Sequence, residues 1–258
     1  LVRRKEDSLL LLDLHHIIFD GLSGNILFRE LSELYEGKSL PKPQRQYRDY
    51  STWIADRDLS EQKAFWLAQC AEEAPTLELP TDFPRPPQRS FRGALTQLHT
   101  EPALGQKLRK LAQAEGVTEY PLYLAAAMIL VSKYGRQEDV VLGTVAGGRG
   151  HDRLRDMPGM FVSTLALRSQ VEGKKTFRSF LRELGEYSAQ ALSHQEYSYG
   201  QLVEELALPT DPTRNPLFDV VFAMEAMWSR FLPAIVELKK TLDSGAIGQV
   251  KHAEISIG

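Results

Sequence analysis

Three observations predict an α/β protein in which sheet and helices form layers. Apolar runs of buried-strand length recur at residues 9–14, 139–144, 160–167 and 217–222. Stretches with apolar residues at helical spacing fall between them, so strands and helices alternate along the chain. The 258 residues, 43% of them hydrophobic, suffice for a sizeable core in one large domain or two small ones.

From the start, residues 9–14 predict a buried strand that yields to a turn at His15 and His16. Residues 23–35 set Ile26, Leu27, Leu31, Leu34 and Tyr35 at helical spacing, with Gly37 as the stop signal. Pro41 and Pro43 mark an extended linker. Residues 47–72 predict one long helix of mixed polarity, anchored by Trp53, Phe65 and Trp66. The proline-rich patch 80–87 predicts an irregular connection, residues 98–100 the end of a strand, and residues 102–115 an amphipathic helix. Residues 121–134 are apolar nearly all round, which predicts a buried helix closed by Gly135. Strands at 139–144 and 160–167 bracket a loop over 145–158; helices at 177–195 and 199–206 and a strand at 217–222 follow.

Composition removes several functional classes. A formal net charge of -3 with mixed signs gives no reason to expect nucleic acid or an anionic membrane as partner. The single cysteine, Cys70, forms no internal disulfide and suits a reducing cytoplasm. No apolar run approaches the length of a membrane span. Gly21-Leu22-Ser23-Gly24-Asn25 has the wrong spacing for a nucleophile elbow, and no Cys-x-x-Cys or His-Glu-x-x-His pattern points to a metal. The glycine cluster 143–150 fits neither a P-loop nor G-x-G-x-x-G and reads as a tight turn after a strand.

The stretch His15-His16-Ile17-Ile18-Phe19-Asp20-Gly21 carries the strongest chemical signal. Imidazole titrates near neutrality and is the usual general base. Strand side chains alternate between faces, so only one of the two histidines can face a given cavity. Asp20 lies where the chain can bend it back towards the imidazole or an arginine.

This stretch resembles the His-His-x-x-x-Asp-Gly signature of condensation domains of nonribosomal peptide synthetases. Further matches follow in the family's order: residues 47–53 from Tyr47 to Trp53, the turn Gly143-Thr144-Val145-Ala146-Gly147 with Arg149 and one additional glycine, and the strand motif from Met157 through Gly159, Phe161, Val162, Ser163 and Thr164 to Arg168. His194-Gln195-Glu196-Tyr197 and Arg214-Asn215-Pro216-Leu217-Phe218 complete the set. The resemblance implies a chloramphenicol-acetyltransferase-like two-layer sandwich, with this chain mainly the C-terminal lobe. It implies no cofactor bound directly, and substrates delivered as thioesters on phosphopantetheine arms of peptidyl or acyl carrier proteins, beside adjoining synthetase domains. By the same match, His16 is the catalytic histidine, as general base or as a group that holds the amine in line. His15, Asp20 and Gly21 would shape the site. Asp20 would pair with an arginine, either Arg149 or one outside this chain, and Gly21 would let backbone approach the tunnel. Ser163 and Asn215 are substrate-tunnel candidates, while Trp53, Phe161 and Tyr197 are expected to be packing residues. Leu22 stands where the family often has tryptophan, and Ser163 where asparagine is usual.

The resemblance divides the chain into residues 1–222, a partial condensation domain with most of the N-terminal lobe upstream of Leu1, and a foreign tail, residues 223–258. The tail is similar to a piece of a dihydrodiol-dehydrogenase-type protein of the glucose-fructose oxidoreductase family, with a helix over 231–242 and a strand over 249–257. It lacks that family's glycine-rich fingerprint and catalytic lysine motif, so no oxidoreductase activity is carried over. A gene fusion, a rearranged pseudogene or an assembly error would each give such a join. The expectation is a condensation acyltransferase whose isolated chain does not turn over. The alternatives are a noncatalytic or epimerising relative of the same fold, or an oxidoreductase fragment through the tail.

Overall fold

The structure is a computed structural model that describes residues 2–3, 8–10, 12–72, 74–88, 92–208 and 211–224. The expected tail helix and strand lie outside the described residues. The described chain forms two compact units, one from Leu1–Arg57 and Arg149–Val162, the other from Asp58–Gly148 and Ser163–Met224.

The first unit opens with two short antiparallel strands, β1 (Val2–Arg3) and β2 (Ser8–Leu9). The strand expected over 9–14 ends at Leu9. Residues 12–15 join no ladder, and Leu10 and Leu12 are exposed. An apolar run becomes a strand only where a neighbour takes its backbone hydrogen bonds, and the described residues supply none there. His16–Ile18 instead forms a 3-10 turn. Helix α1 (Gly21–Tyr35) begins where Asp20, in extended conformation, accepts from the Ser23 amide, and Gly37 follows it at φ 78°. Helix α2 (Tyr47–Ala55) starts with a reciprocal cap between Gln46 and Asp49. Residues 149–162 contain a second 3-10 turn, Asp152–Leu154. Their buried Leu154, Met157 and Phe161 pack against Tyr47 and Tyr50.

The second unit starts with α3 (Ser60–Gln69). The single helix expected over 47–72 is therefore two. Asp58 accepts from the Ser60 amide at 2.9 Å, a local bond that competes with the helical ladder. Helix α4 (Pro102–Glu115) has proline in its first turn and left-handed Gly116 beyond its end. Residues 92–100 form no strand, and Leu95 and Leu98 are exposed. Helix α5 (Glu119–Gly135) ends at Arg136, the left-handed residue at φ 55°, rather than being closed by Gly135. It is not buried all round, because Leu130 and Tyr134 are exposed. Strands β3 (Asp139–Ala146) and β4 (Ser163–Gln170) pair antiparallel from Asp139↔Gln170 to Ala146↔Ser163. Helices α6 (Phe177–Ser193) and α7 (Tyr199–Glu205) are capped by the Thr176 and Ser198 hydroxyls. The last strand, β5 (Val221–Phe222), runs parallel to β3, giving the order β4-β3-β5. It is shorter than expected over 217–222, since Leu217 sits at φ 69° and turns the chain out of the strand.

Alternation along the strands builds this unit's core. Val140, Leu142, Leu165 and Leu167 join Leu124 and Met128 of α5 and Leu181 and Leu184 of α6 in the main apolar cluster. Val141 and Ala166 instead join a second cluster with Phe218. Gly143 is required there, because a Cβ would fall 2.3 Å from the Phe218 ring. Burial on both faces explains why these strands read as continuous apolar runs.

Candidate active site

Asp20 is almost fully buried and serves two purposes at once. Its Oδ1 caps α1, accepting from the Ser23 amide at 2.8 Å. Arg149 Nη2 donates to Oδ1 at 3.0 Å and Oδ2 at 3.1 Å, and the Phe161 amide donates to Oδ2 at 3.2 Å. Burial is the largest influence on the Asp20 carboxyl and pushes it up. The Ser23 hydroxyl and amide, the Phe161 amide and the Arg149 guanidinium together outweigh it, and the group stays below its ordinary value of 3.8.

Arg149 ties that carboxylate to the loop that follows it. Its Nη1 donates to the carbonyls of Leu154 at 2.5 Å and Met157 at 2.6 Å, and its guanidinium lies 4.1 Å from the centre of the Phe161 ring. Ser23, wholly buried, closes the circuit. Its hydroxyl lies 2.7 Å from Asp20 Oδ1 and 2.8 Å from the Gly159 carbonyl, with one proton for those two acceptors. It accepts from the Gly159 amide at 2.9 Å and from Arg149 at 3.1 Å. Tyr47 supports the same loop, donating to the Met160 carbonyl at 2.5 Å, and its ring occupies the space that a Cβ on Gly159 would need.

The two histidines differ in their commitments. His15 is exposed and its Nδ1 accepts from the Ile17 amide at 3.1 Å, which caps the 3-10 turn. His16 is half-buried within the turn, and its Nδ1 has no hydrogen-bond partner among the described residues. Its carbonyl accepts from the Phe19 amide at 3.3 Å, and Phe19 lies against Gly24 of α1. The imidazole is thus carried by a turn whose far end is anchored at Asp20.

Gly21 opens α1, and a Cβ there would meet nothing within 4 Å. Its expected close approach is therefore not to described protein atoms. Ser163 begins β4 with its hydroxyl oxygen buried and without a partner among the described residues. Asn215 is exposed, in the irregular segment before β5. Phe161 and Tyr197 are buried in apolar clusters, whereas Trp53 is 38% exposed, between Arg57 and His151. His194 caps α6 and stacks on Phe65 with ring centres 4.2 Å apart. Ser23, Gly159 and Tyr47 also belong to the network, a part that none of the matched motifs gives them. The available signal was a cap pattern, an aspartate followed three residues later by serine at a helix start.

Solved structures share this architecture. A four-domain nonribosomal peptide synthetase bound to AMP and glycine aligns with TM-score 0.75 at 24% identity, over 87% of this chain and 17% of that one. The X-domain from teicoplanin biosynthesis aligns with TM-score 0.72 at 25% identity, over 81% of this chain and 50% of that one. The class is therefore the chloramphenicol-acetyltransferase-like fold of condensation domains. The chain belongs to the Condensation domain family, whose profile matches residues 1–255. Gramicidin S synthase 2 of Brevibacillus brevis is 43% identical over 262 residues, covering 100% of this chain and 6% of the synthase. Tyrocidine synthase 3 of Brevibacillus parabrevis is 44% identical over 226 residues, covering 86% of this chain and 4% of the synthase. The chain thus spans only a small part of these relatives.

Proposed function

We propose that this chain acts in nonribosomal peptide synthesis, in the amide-forming step between aminoacyl or peptidyl thioesters on the phosphopantetheine arms of carrier proteins. The acceptor amine attacks the donor thioester carbonyl. A C–N bond forms, the C–S bond breaks, the donor carrier leaves as its thiol, and the proton lost by the amine ends on the departing sulfur. His16 relays that proton or holds the amine in line. The position of His16 carries the reading: the residue is half-buried on a turn anchored by the buried Asp20–Arg149–Ser23 circuit. His15 is bound to its own turn and serves as a structural residue. Gly21 leaves open space at the helix start, and the partnerless hydroxyl of Ser163 suits a substrate-lining position. Asn215 is assigned to the same lining by its match to the family motif. The partners are peptidyl or acyl carrier proteins and adjoining synthetase domains, in the cytoplasm.

The test supplies donor and acceptor carrier thioesters to the synthetase module that bears this sequence and follows amide product. His16→Ala is expected to lower the rate by about 10²–10⁴-fold with the fold intact. Equal rates with and without the imidazole would overturn the assignment.

The boundary near residue 222 is part of the same reading. The change of residue pattern after Phe222 supports it, while the gramicidin synthase match, over 100% of the chain, and the family profile, over residues 1–255, run past it. Resequencing the locus across the join tests it. A continuous synthetase frame on both sides would remove the oxidoreductase-like reading of residues 223–258.

A further inference from the structure

We propose that Ser23 is a positioning residue for His16: its hydroxyl clasps the first turn of α1 to residues 149–162 and so fixes the turn that presents the imidazole. For its catalytic consequence this rests on the function proposed above; its structural part does not.

Ser23 is 0% exposed, yet its one hydroxyl is within 3.1 Å of four polar groups. Two of these, the amide and carbonyl of Gly159, are backbone atoms 136 positions away in sequence. Such a bond does more than cap a helix, which the Ser23 amide and Asp20 already accomplish. The path to His16 is short. Asp20 takes its orientation from Ser23 and Arg149, Phe19 precedes it and rests on Gly24, and the Phe19 amide closes onto the His16 carbonyl. No described group hydrogen-bonds the imidazole Nδ1, so this backbone route is the hydrogen-bonded link described between the circuit and the imidazole. Without the hydroxyl, the Gly159 amide and carbonyl lose their shared partner and Arg149 loses one of its acceptors, leaving buried groups to seek new geometry.

The experiment compares Ser23→Ala with wild type in two readouts. The first is the His16 imidazole carbon–proton resonance of the full 258-residue chain, assigned with His16→Gln. The second is kcat and acceptor KM for amide formation by the module. Arg29→Ala is the control, because it removes the exposed 2.8 Å pair to Asp156 that joins α1 to the same loop without touching the network. Ser23→Ala is expected to shift or broaden the His16 resonance and to lower kcat on the order of tenfold or more, with KM nearly unchanged. Arg29→Ala is expected to do neither. If Ser23→Ala does not fold, Ser23→Cys, which keeps a weak donor in place, carries the same comparison. A Ser23 variant that melts earlier but leaves the His16 resonance and kcat unaltered would overturn the proposal, as would equal effects of Arg29→Ala. A wild-type module without amide formation would defeat the catalytic reading alone, and the resonance would still decide the positioning.

Discussion

Asp20 and Leu181 are equally hidden, at 1% and 0% exposure, yet they hold their units together by opposite means. Leu181 sits among the leucines, valines and methionine of the second unit, where burial itself stabilises and neighbouring contacts are interchangeable within limits. Asp20 sits in a circuit of hydrogen bonds in which it accepts from the Ser23 amide, the Arg149 guanidinium and the Phe161 amide, each at a set distance. Removing a carboxylate from water costs free energy that the circuit must offset, so the net stabilisation is small and the gain is definition of geometry. The second unit is therefore the reservoir of stability, and the first is where position is enforced. A histidine that must meet a reacting amine belongs with the second kind of order.

That contrast breaks most sharply at Arg149. Arg149→Ala leaves Asp20 charged, buried and short of its cation, a loss of about 3–5 kcal/mol for pairs of this kind. The expected result is faster hydrogen exchange in α1 and residues 149–162, with α6 amides nearly unchanged. Uniform loss across both units would mean that they are one cooperative block. The converse is Leu181→Ala, which opens a cavity in the apolar core and costs about 2–5 kcal/mol. Its effect is expected in α5, α6 and β3, and the Asp20 circuit is expected to retain its protection.

The two units were also unequally legible. Strands β3 and β4 could be read from the sequence because sheet layers covered on both faces leave a continuous apolar signature. The structure extends β3 to Ala146 and shifts β4 from the expected 160–167 to Ser163–Gln170, since Phe161 packs in the loop against Tyr47 and Tyr50 rather than joining the ladder. The run 9–14 carries the same signature in sequence, yet β2 ends at Leu9 and residues 12–14 join no strand, since a run of leucines does not reveal whether a neighbour exists to pair with it. The break between α2 and α3 was written in Asp58 and Ser60, but its signal is a single side-chain bond, too local for periodicity to register. Ser23 was harder still. Its local pattern shows only a helix cap, while its function in the fold depends on Gly159, and no spacing rule links residues 136 positions apart. Apolar burial is thus written along the chain, whereas polar circuits depend on pairings between distant positions.

A smaller effect sharpens the steric side of the circuit. Gly159→Ala would place a Cβ 2.1 Å from Tyr47 Cδ2, so the ring or the loop must move. Overpacking of this sort costs about 1–3 kcal/mol. The Tyr47 bond to the Met160 carbonyl is expected to weaken with it, visible as faster exchange at the start of α2. Tyr47→Leu in the same background is expected to restore part of the loss, by replacing the planar ring with a flexible chain.

Acid separates the units by the least drastic route. The Asp20 carboxyl is held below its ordinary 3.8 in the folded chain, so the unfolded chain binds that proton more readily. Its contribution to stability is therefore fully present above 3.8 and is lost as pH falls through the lower folded value. Arg149, Ser23 and the Phe161 amide face the carboxylate, and the Tyr47 phenol is raised by burial and by the Asp20 charge. Of these, Asp20 alone changes charge in the acid range. In the second unit Asp58, Asp211 and Glu183 are also held low, but by local bonds at the protein surface where solvent screens them. Acidification is then expected to release α1 and residues 149–162 before α6, followed as amide exchange against pH. Asp20→Asn is expected to lower the stability of the first unit near neutrality and to flatten its acid dependence. Simultaneous acid release of both units in wild type, with the same slope in Asp20→Asn, would show that the circuit does not set the first unit's response.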